Sequence, residues 1–498
     1  MGYPMNRKNS FLFALLALVA LSLSSCSGIK QQVCTVNCNV AGNANVTLTL
    51  FDAPPAGVSF ITLNMPISLI SLTPTTGADV NLLSTSTTFE LTRLQSDSTG
   101  IGTFQVPAGT FTKLNIFVTN SPSGVWFNGS GSTIIGCNTL TICNFAGGAQ
   151  GQLSIDLTKV AGLSGQGLVL TSGENTSLGI ELNLNKALTA TGGLSFDLKQ
   201  TGALTAITLP RTGQPSGTID TLQDFLGKVT AVSGGKITLQ NNAGLTFIGT
   251  ASSTTTTFDP PPLPPTPAPC GGNFNLACVA VGQTLSVDGN VAADGTVALT
   301  NVDFLDIPAS DELQGTIFHT TTAGKFLLIV NDKIQTSANA VLTPVGPGFT
   351  LNVTLDPAAT FAVDTSNLGI TNPAGFLDAT DISDGQNVLV HVKSATPAAA
   401  GVLVNVLADR MVLRFSRLTG TVATISGNVL TIQNFQSFFG TPNVPPQVQT
   451  FVPQTNFDNV TGGNIGGLSV GDSVSIRALF LNPTKVSQPF LAATVRKH

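Results

Sequence analysis

Charge is what this sequence has least of. Asp, Glu, Lys and Arg make up 9% of its 498 residues, against about a quarter in an ordinary globular chain. The formal net charge is −5 and the 21 cations form no run or patch, so a nucleic-acid binder, which neutralises phosphates with grouped Lys and Arg, is disfavoured. Three His, one of them the terminal His498, leave little material for acid–base or metal chemistry, and nothing points to a cofactor. Tyr3 is the single tyrosine and Trp126 the single tryptophan, which weakens any reading based on aromatic platforms for sugars. After residue 30 no stretch keeps a 3.6-residue apolar period, so long amphipathic helices are not expected.

What is present is apolar. Hydrophobic residues reach 42%, with 51 Gly and 28 Pro. Disorder needs low hydrophobicity together with high net charge, so most of this chain should fold. Its few ionisable groups are expected to be scaffolding. The length is a prior of about three domains.

The N-terminus reads as an export signal. Arg7 and Lys8 precede an apolar run over residues 11–23, too short for the roughly 20 residues that cross a bilayer. Leu23-Ser24-Ser25-Cys26 then resembles the bacterial lipobox. That resemblance implies cleavage after residue 25 and a lipidated Cys26, with two or three acyl chains giving durable membrane attachment. Loss of Arg7 and Lys8 makes the remaining chain two units more negative. Ser27 lacks the Asp that some bacteria read as an inner-membrane retention signal, so a cell-envelope location at the outer membrane is expected. The other six cysteines fall into local pairs, Cys34 with Cys38, Cys137 with Cys143, and Cys270 with Cys278. Export and an even number favour disulfides, although six cysteines allow 15 connectivities. Short loops of this kind stabilise by about 2 kcal/mol each.

Short alternating segments dominate the rest. Val46, Leu48 and Leu50 share one face while Thr47 and Thr49 take the other, the pattern of a half-buried strand. It recurs at residues 113–119 and 177–184. Turn clusters such as Pro107-Ala108-Gly109 separate the strands. From residue 226 the chain repeats itself. Residues 226–239 are echoed by 418–432 and, more loosely, from Leu313 onward. A second block follows in each copy at Val281-Gly282-Gln283, Asp384-Gly385-Gln386 and Val470-Gly471-Asp472, and a closing strand at 296–302, 402–407 and 491–495. Three copies of about five strands each suggest small closed barrels, because closure removes exposed edges.

The expected architecture is all-β: an N-terminal β-sandwich followed by three small β-barrel-like repeats, arranged like beads. The divisions are signal 1–25, tether 26–43, sandwich 44–205, linker 206–224, and repeats 225–308, 309–414 and 415–498. Residues 44 to about 200, with Asp52-Ala53-Pro54 and Pro107-Ala108-Gly109-Thr110-Phe111, resemble the family catalogued as domain of unknown function 4382. The repeats resemble domain of unknown function 5666. Neither resemblance implies an activity or catalytic residues.

Candidate chemistry is sparse. Gly467-Leu468-Ser469-Val470-Gly471 matches a nucleophile-elbow pattern, but no helical segment follows and Ala280 holds the equivalent place in the first copy. Asp378, Asp381 and Asp384 could offer oxygen ligands to Ca²⁺, although their spacing is that of a solvated turn. Asp306, Asp311 and Glu312 read as a charged linker holding neighbouring barrels apart. His319 and His391 read as structural. Trp126 is the one candidate sugar platform, and a core or edge plug is the commoner role for an isolated Trp. The expected function is a non-catalytic, lipid-anchored envelope protein acting as a structural or interaction module, with the membrane and an envelope protein or polysaccharide as partners. A carbohydrate-binding lipoprotein is the first alternative, and an envelope hydrolase with an unrecognised carboxylate site the second.

Overall fold

The computed structural model of the protein describes residues 42–498 apart from 55–57, 130–133, 149, 190–192, 242–243, 262–268, 306–310, 335–336, 338, 367, 372, 398–403 and 441–443. Cys26, Cys34, Cys38 and Asp306 lie outside the described residues. Strands dominate, as the alternating pattern predicts, and the α-helix among the described residues, Leu184–Ala187, is a single turn.

The N-terminal domain is two sheets over one core. One sheet runs Leu204–Ile207, Asn175–Asn183, Asn43–Ala53, Ser98–Pro107. The other centres on Ser59–Pro74, flanked by Gly109–Val118 and Ser123–Asn128. Val46, Leu48 and Leu50 from the first sheet meet Leu63, Ile70, Leu114 and Ile116 from the second. The first strand departs from the half-buried expectation, since Thr47 and Thr49 are also buried. Thr47 shares a hydrogen bond with Thr103 and donates to the carbonyl of Gly295, so a turn of the next domain covers the face that alternation assigns to water.

Three five-stranded circuits follow, all with one topology. In barrel 1, Thr218–Ser233 pairs with Lys236–Gln240, which pairs with Thr246–Thr250; the ring closes through Val297–Phe304 and Thr284–Ala292 back to the first strand. The third and fifth strands meet in parallel. Barrel 2 repeats this with Glu312–Thr322, Lys325–Ile334, Thr350–Val363, residues 404–413 and Asn387–Pro397. Barrel 3 repeats it with residues 415–426, Val429–Gln433, Gln447–Thr450, Phe490–Lys497 and Ser473–Phe480. One continuous strand, Val404–Ser426, supplies the last wall of barrel 2 and the first of barrel 3. This is the Greek-key closure of small OB-type barrels. The repeated local chemistry extends to hydrogen bonds: Thr256 donates to Leu299 O and accepts from Ser252 N, and Thr455 does the same with Ala492 O and Phe451 N.

The recurring glycine of the first strand is explained by close approach in barrels 2 and 3. A Cβ at Gly315 would lie 2.4 Å from Ile329 O, and one at Gly420 would lie 2.6 Å from Gln433 O. Any side chain there would push the second strand away.

The units are not beads. Leu222 of barrel 1 pairs with Ser98 of the N-terminal domain, joining their sheets. Part of the segment expected as a linker, 206–224, is therefore strand, since the first strand of barrel 1 begins at Thr218. Phe127 of the N-terminal domain packs on Phe318 of barrel 2 and Phe438 of barrel 3, with ring centroids 5.9 and 6.5 Å away. Asp311 and Glu312 do not hold barrels apart either. Both are buried; Asp311 accepts from Ser337 N at 2.9 Å, and Glu312 lies 3.9 Å from Arg410.

Candidate functional site

The fold gathers the scarce charges in its centre. Apart from Arg410, and Arg7 outside the described residues, every arginine joins one buried cluster between the domains. Asp224 is its focus. Two residues, Gln223 and Asp224, stand opposite one on the neighbouring strand of barrel 1, because the register jumps between Leu222 and Phe225. Asp224 takes the left-handed conformation at φ 50°, which Asp tolerates better than most residues. The bulge turns its carboxylate out of the barrel. Arg477 grips it with two bonds, Nη2 to Oδ1 at 2.6 Å and Nε to Oδ2 at 3.0 Å. Arg417 reaches Oδ2 at 2.9 Å and Arg414 reaches Oδ1 at 3.3 Å. Arg93 from the N-terminal domain donates to the Asp224 carbonyl at 3.0 Å and pairs with Asp332 of barrel 2 at 2.9 Å.

The cluster continues outward in neutralised pairs. Arg417 also meets Asp97, and Arg414 meets Asp364. Arg496 binds Asp458 at 2.6 Å and the Asp97 carbonyl at 3.0 Å. Arg211 bridges Asp458 at 3.0 Å and Asp220 at 3.2 Å. Three guanidiniums lie over rings, Arg477 on Phe415 at 3.9 Å, and Arg211 and Arg496 on Phe51 at 4.5 and 5.9 Å. Planar, always-charged guanidinium suits such multi-partner burial, and no lysine is among the buried residues described.

Protonation follows from these neighbours. Burial alone would raise the Asp224 carboxyl, but Arg477, Arg414 and Arg417 hold it well below the usual range. Asp288 has weaker compensation: burial pushes it up to about 6, against the pull of Arg477. Burial, then Asp364, raises Asp303 well above the carboxylate range. In the N-terminal domain, burial raises Asp52, which accepts from Leu184 N.

Beside the cluster lies a cleft of about 330 Å³ where the N-terminal domain, barrel 1 and barrel 2 meet. Its walls include Phe89 and Arg93, Gln223 and Asn241, and Asn331 and Pro347. A smaller cleft of about 240 Å³ separates barrels 1 and 3.

The structure does not bring the residues singled out from the sequence together. Asp378 caps Thr380 N at 2.7 Å, Asp381 accepts from Leu377 N at 2.7 Å and pairs with Lys485 at 3.3 Å, and Asp384 accepts from Thr320 N at 3.1 Å. Asp378 and Asp381 close their own local turns while Asp384 ties its turn to the first strand of barrel 2, and among the described residues no group of three or more His, Cys, Asp or Glu is placed to hold a metal. Ser469 lies in an exposed turn, its N–H bonded to Asp472. Trp126 is 3% exposed within the N-terminal core, so it offers no stacking platform. His391 pairs with Asp409 at 2.5 Å. Cys137–Cys143 and Cys270–Cys278 are disulfides.

The arginine cluster escaped sequence reading because its members are scattered from residue 93 to residue 496. A signal was available. With the repeats registered on Gly227 and Gly420, Asp224 of the first copy falls where the third has Arg417.

The molecule is thus an all-β protein of four fused units around a charged interior. Its N-terminal unit coincides with a catalogued family: the family described as domain of unknown function (DUF4382) matches residues 43–200. No curated protein matches the chain.

Proposed function

We propose that this is a lipid-anchored protein of the bacterial cell envelope, attached through Cys26, that works by binding rather than by catalysis. Its three barrels are read as copies of one module resembling domain of unknown function 5666. One observation carries the reading: the charged residues the fold concentrates are consumed in holding four units together, with Asp224 saturated by three guanidiniums and closed to solvent. A group fixed in this way serves rigidity, and a rigid body presenting barrel-end loops is suited to recognition. The export signal and the two described disulfides agree with an oxidising compartment.

Metabolic labelling with an alkyne fatty acid tests the anchor. Wild type should label and Cys26→Ala should not; equal labelling removes the anchor from the proposal. Crosslinking and recovery from intact envelopes tests the rest, and the expected result is a stable protein or polysaccharide partner.

A further inference from the structure

We propose that the joint between the two halves of the molecule, the N-terminal domain with barrel 1 and barrel 2 with barrel 3, is a proton-operated latch: docking takes up protons at Asp288 and Asp303, and the halves loosen as the pH rises. The inference goes beyond the binding role and depends on neither the anchor nor the partner.

The charge count across the joint is the first argument. Each half is continuous within itself, the first through the Leu222–Ser98 pairing and the second through the strand Val404–Ser426. The first half brings Asp97, Asp220, Asp224, Asp288 and Asp303 with Arg93 and Arg211. The second brings Asp332, Asp364 and Asp458 with Arg414, Arg417, Arg477 and Arg496. Eight carboxyls therefore close against six guanidiniums. With every group ionised, the closed joint would bury excess negative charge, a cost that drives carboxyls to take up protons instead.

Geometry selects which carboxyls these are. Six of the aspartates lie within 3.2 Å of a guanidinium. Asp288 is 4.0 Å from Arg477 and is faced by two further acids, Asp97 and Asp224, from whose N–H it accepts at 2.8 Å. Asp303 accepts from a neutral group, Asn301 Nδ2, at 2.7 Å. Asp259 stands opposite it on the neighbouring strand, Asp288 faces it from its own barrel, and Asp364 and Arg414 face it from the other half. Burial raises both carboxyls. Asp288 also lines the cleft of about 240 Å³ between barrels 1 and 3, which gives protons a route to the joint.

The sign follows from linkage. A carboxyl whose folded value lies above its unfolded one stabilises the closed form at low pH and loses that effect as the pH rises through the folded value. Each proton released on opening then shifts the equilibrium by up to about tenfold per pH unit, and two by up to about a hundredfold.

Modification of arginine by phenylglyoxal, read residue by residue by mass spectrometry on the full chain in detergent, tests the latch. Arg477 and Arg496 are closed to solvent in the joint, at 0% and 1% exposed. Arg410, outside the cluster with its side chain 22% exposed, corrects for the reagent's own response to pH. The rate at Arg477 and Arg496 relative to Arg410 should rise above about pH 6, by up to about tenfold per unit for each proton released. Fluorescence of Trp126, buried in the N-terminal core, should stay constant over the same range, because the units themselves remain folded. Asp288→Asn should reduce the slope, and Asp288→Asn with Asp303→Asn should flatten it. Infrared spectra at pH 5 should show a protonated-carboxyl carbonyl band that each single variant diminishes. A flat ratio in the wild type overturns the proposal, as do an unchanged slope in the double variant, a Trp126 signal that moves with the arginine rates, and a carbonyl band that neither variant alters. Fatty-acid labelling and partner recovery from envelopes are read separately, so neither stands or falls with the latch.

Discussion

Barrels 1 and 3 share strand order, register and hydrogen bonds yet carry aspartates in one and arginines in the other at equivalent places. Three residues before the recurring glycine stands Asp224 in barrel 1 and Arg417 in barrel 3. Three residues beyond the glycine's partner on the fourth strand stand Asp288 and Arg477. On the fifth strand, the residue opposite Ser286 is Asp303 and the residue opposite Ser475 is Arg496. Barrel 2 is mixed, with Glu312, His391 and Val412 at those positions. The shared topology gives each barrel the same outward positions, and the opposite charges of Asp224 in one and Arg417 and Arg477 in the other turn the two into partners. Complementarity of this kind specifies which barrel meets which, since like charges facing each other without water are costly.

The largest effect should come from removing the focus of this pairing. Asp224→Ala leaves three buried guanidiniums without their shared carboxylate and should cost about 3–5 kcal/mol or more, read as a fall in the urea midpoint. A loss below about 1 kcal/mol would place the pair among weak surface bridges and dissolve the comparison. On the basic side, Arg477→Met should cost about 3 kcal/mol. Arg477→Lys should recover only part, because an ammonium cannot make the two-bond grip on Asp224 or lie flat on Phe415.

The acidic side is sharpened by pH. Asp224 is held low, so its contribution is present above the ordinary carboxylate value near 4 and fades as the pH falls through its lower folded value. Asp288 has the opposite sign. Its folded value, about 6, exceeds the unfolded one, so its contribution is full below about 4 and disappears as the pH rises through about 6. Asp288→Asn should therefore raise stability at pH 7.5 by about 2–3 kcal/mol and flatten the urea midpoint between pH 4 and 7; an unchanged slope would contradict it. Asymmetry of another kind is smaller. Barrel 1 alone carries the Cys270–Cys278 bridge, and replacing both cysteines by Ser should cost about 2 kcal/mol without altering barrel 3, as hydrogen exchange can show by domain. The exposed Lys393–Asp356 pair marks the floor: Lys393→Ala should leave the melting temperature unchanged.

Much of the architecture was legible. Alternation at Val46, Leu48 and Leu50 marks a strand because a pleat imposes period two, and repetition on glycines marks copies because the same close contact recurs at Gly315 and Gly420. The third dimension was less so. Nothing in Thr47 announces that a turn of another domain covers it, since that depends on how the units dock. Trp126 read as a core or edge plug sooner than as a platform, and its place in the N-terminal core agrees with the plug. The charged interior was half legible: scarcity suggested scaffolding, but a single sequence does not reveal that Arg93, Asp224 and Arg496 converge, because bulges and docking angles bring them together.

The strand Val404–Ser426 has a consequence for how such a molecule can be taken apart. A stave common to two barrels leaves no seam, so barrel 2 produced without residues 415–426 keeps its own ring but exposes the docking face, while barrel 3 begun after residue 426 lacks a wall. Recombination that trades whole modules can act on either side of this pair but not through it, and a pull on one barrel travels along continuous backbone into the other with no hinge to absorb it.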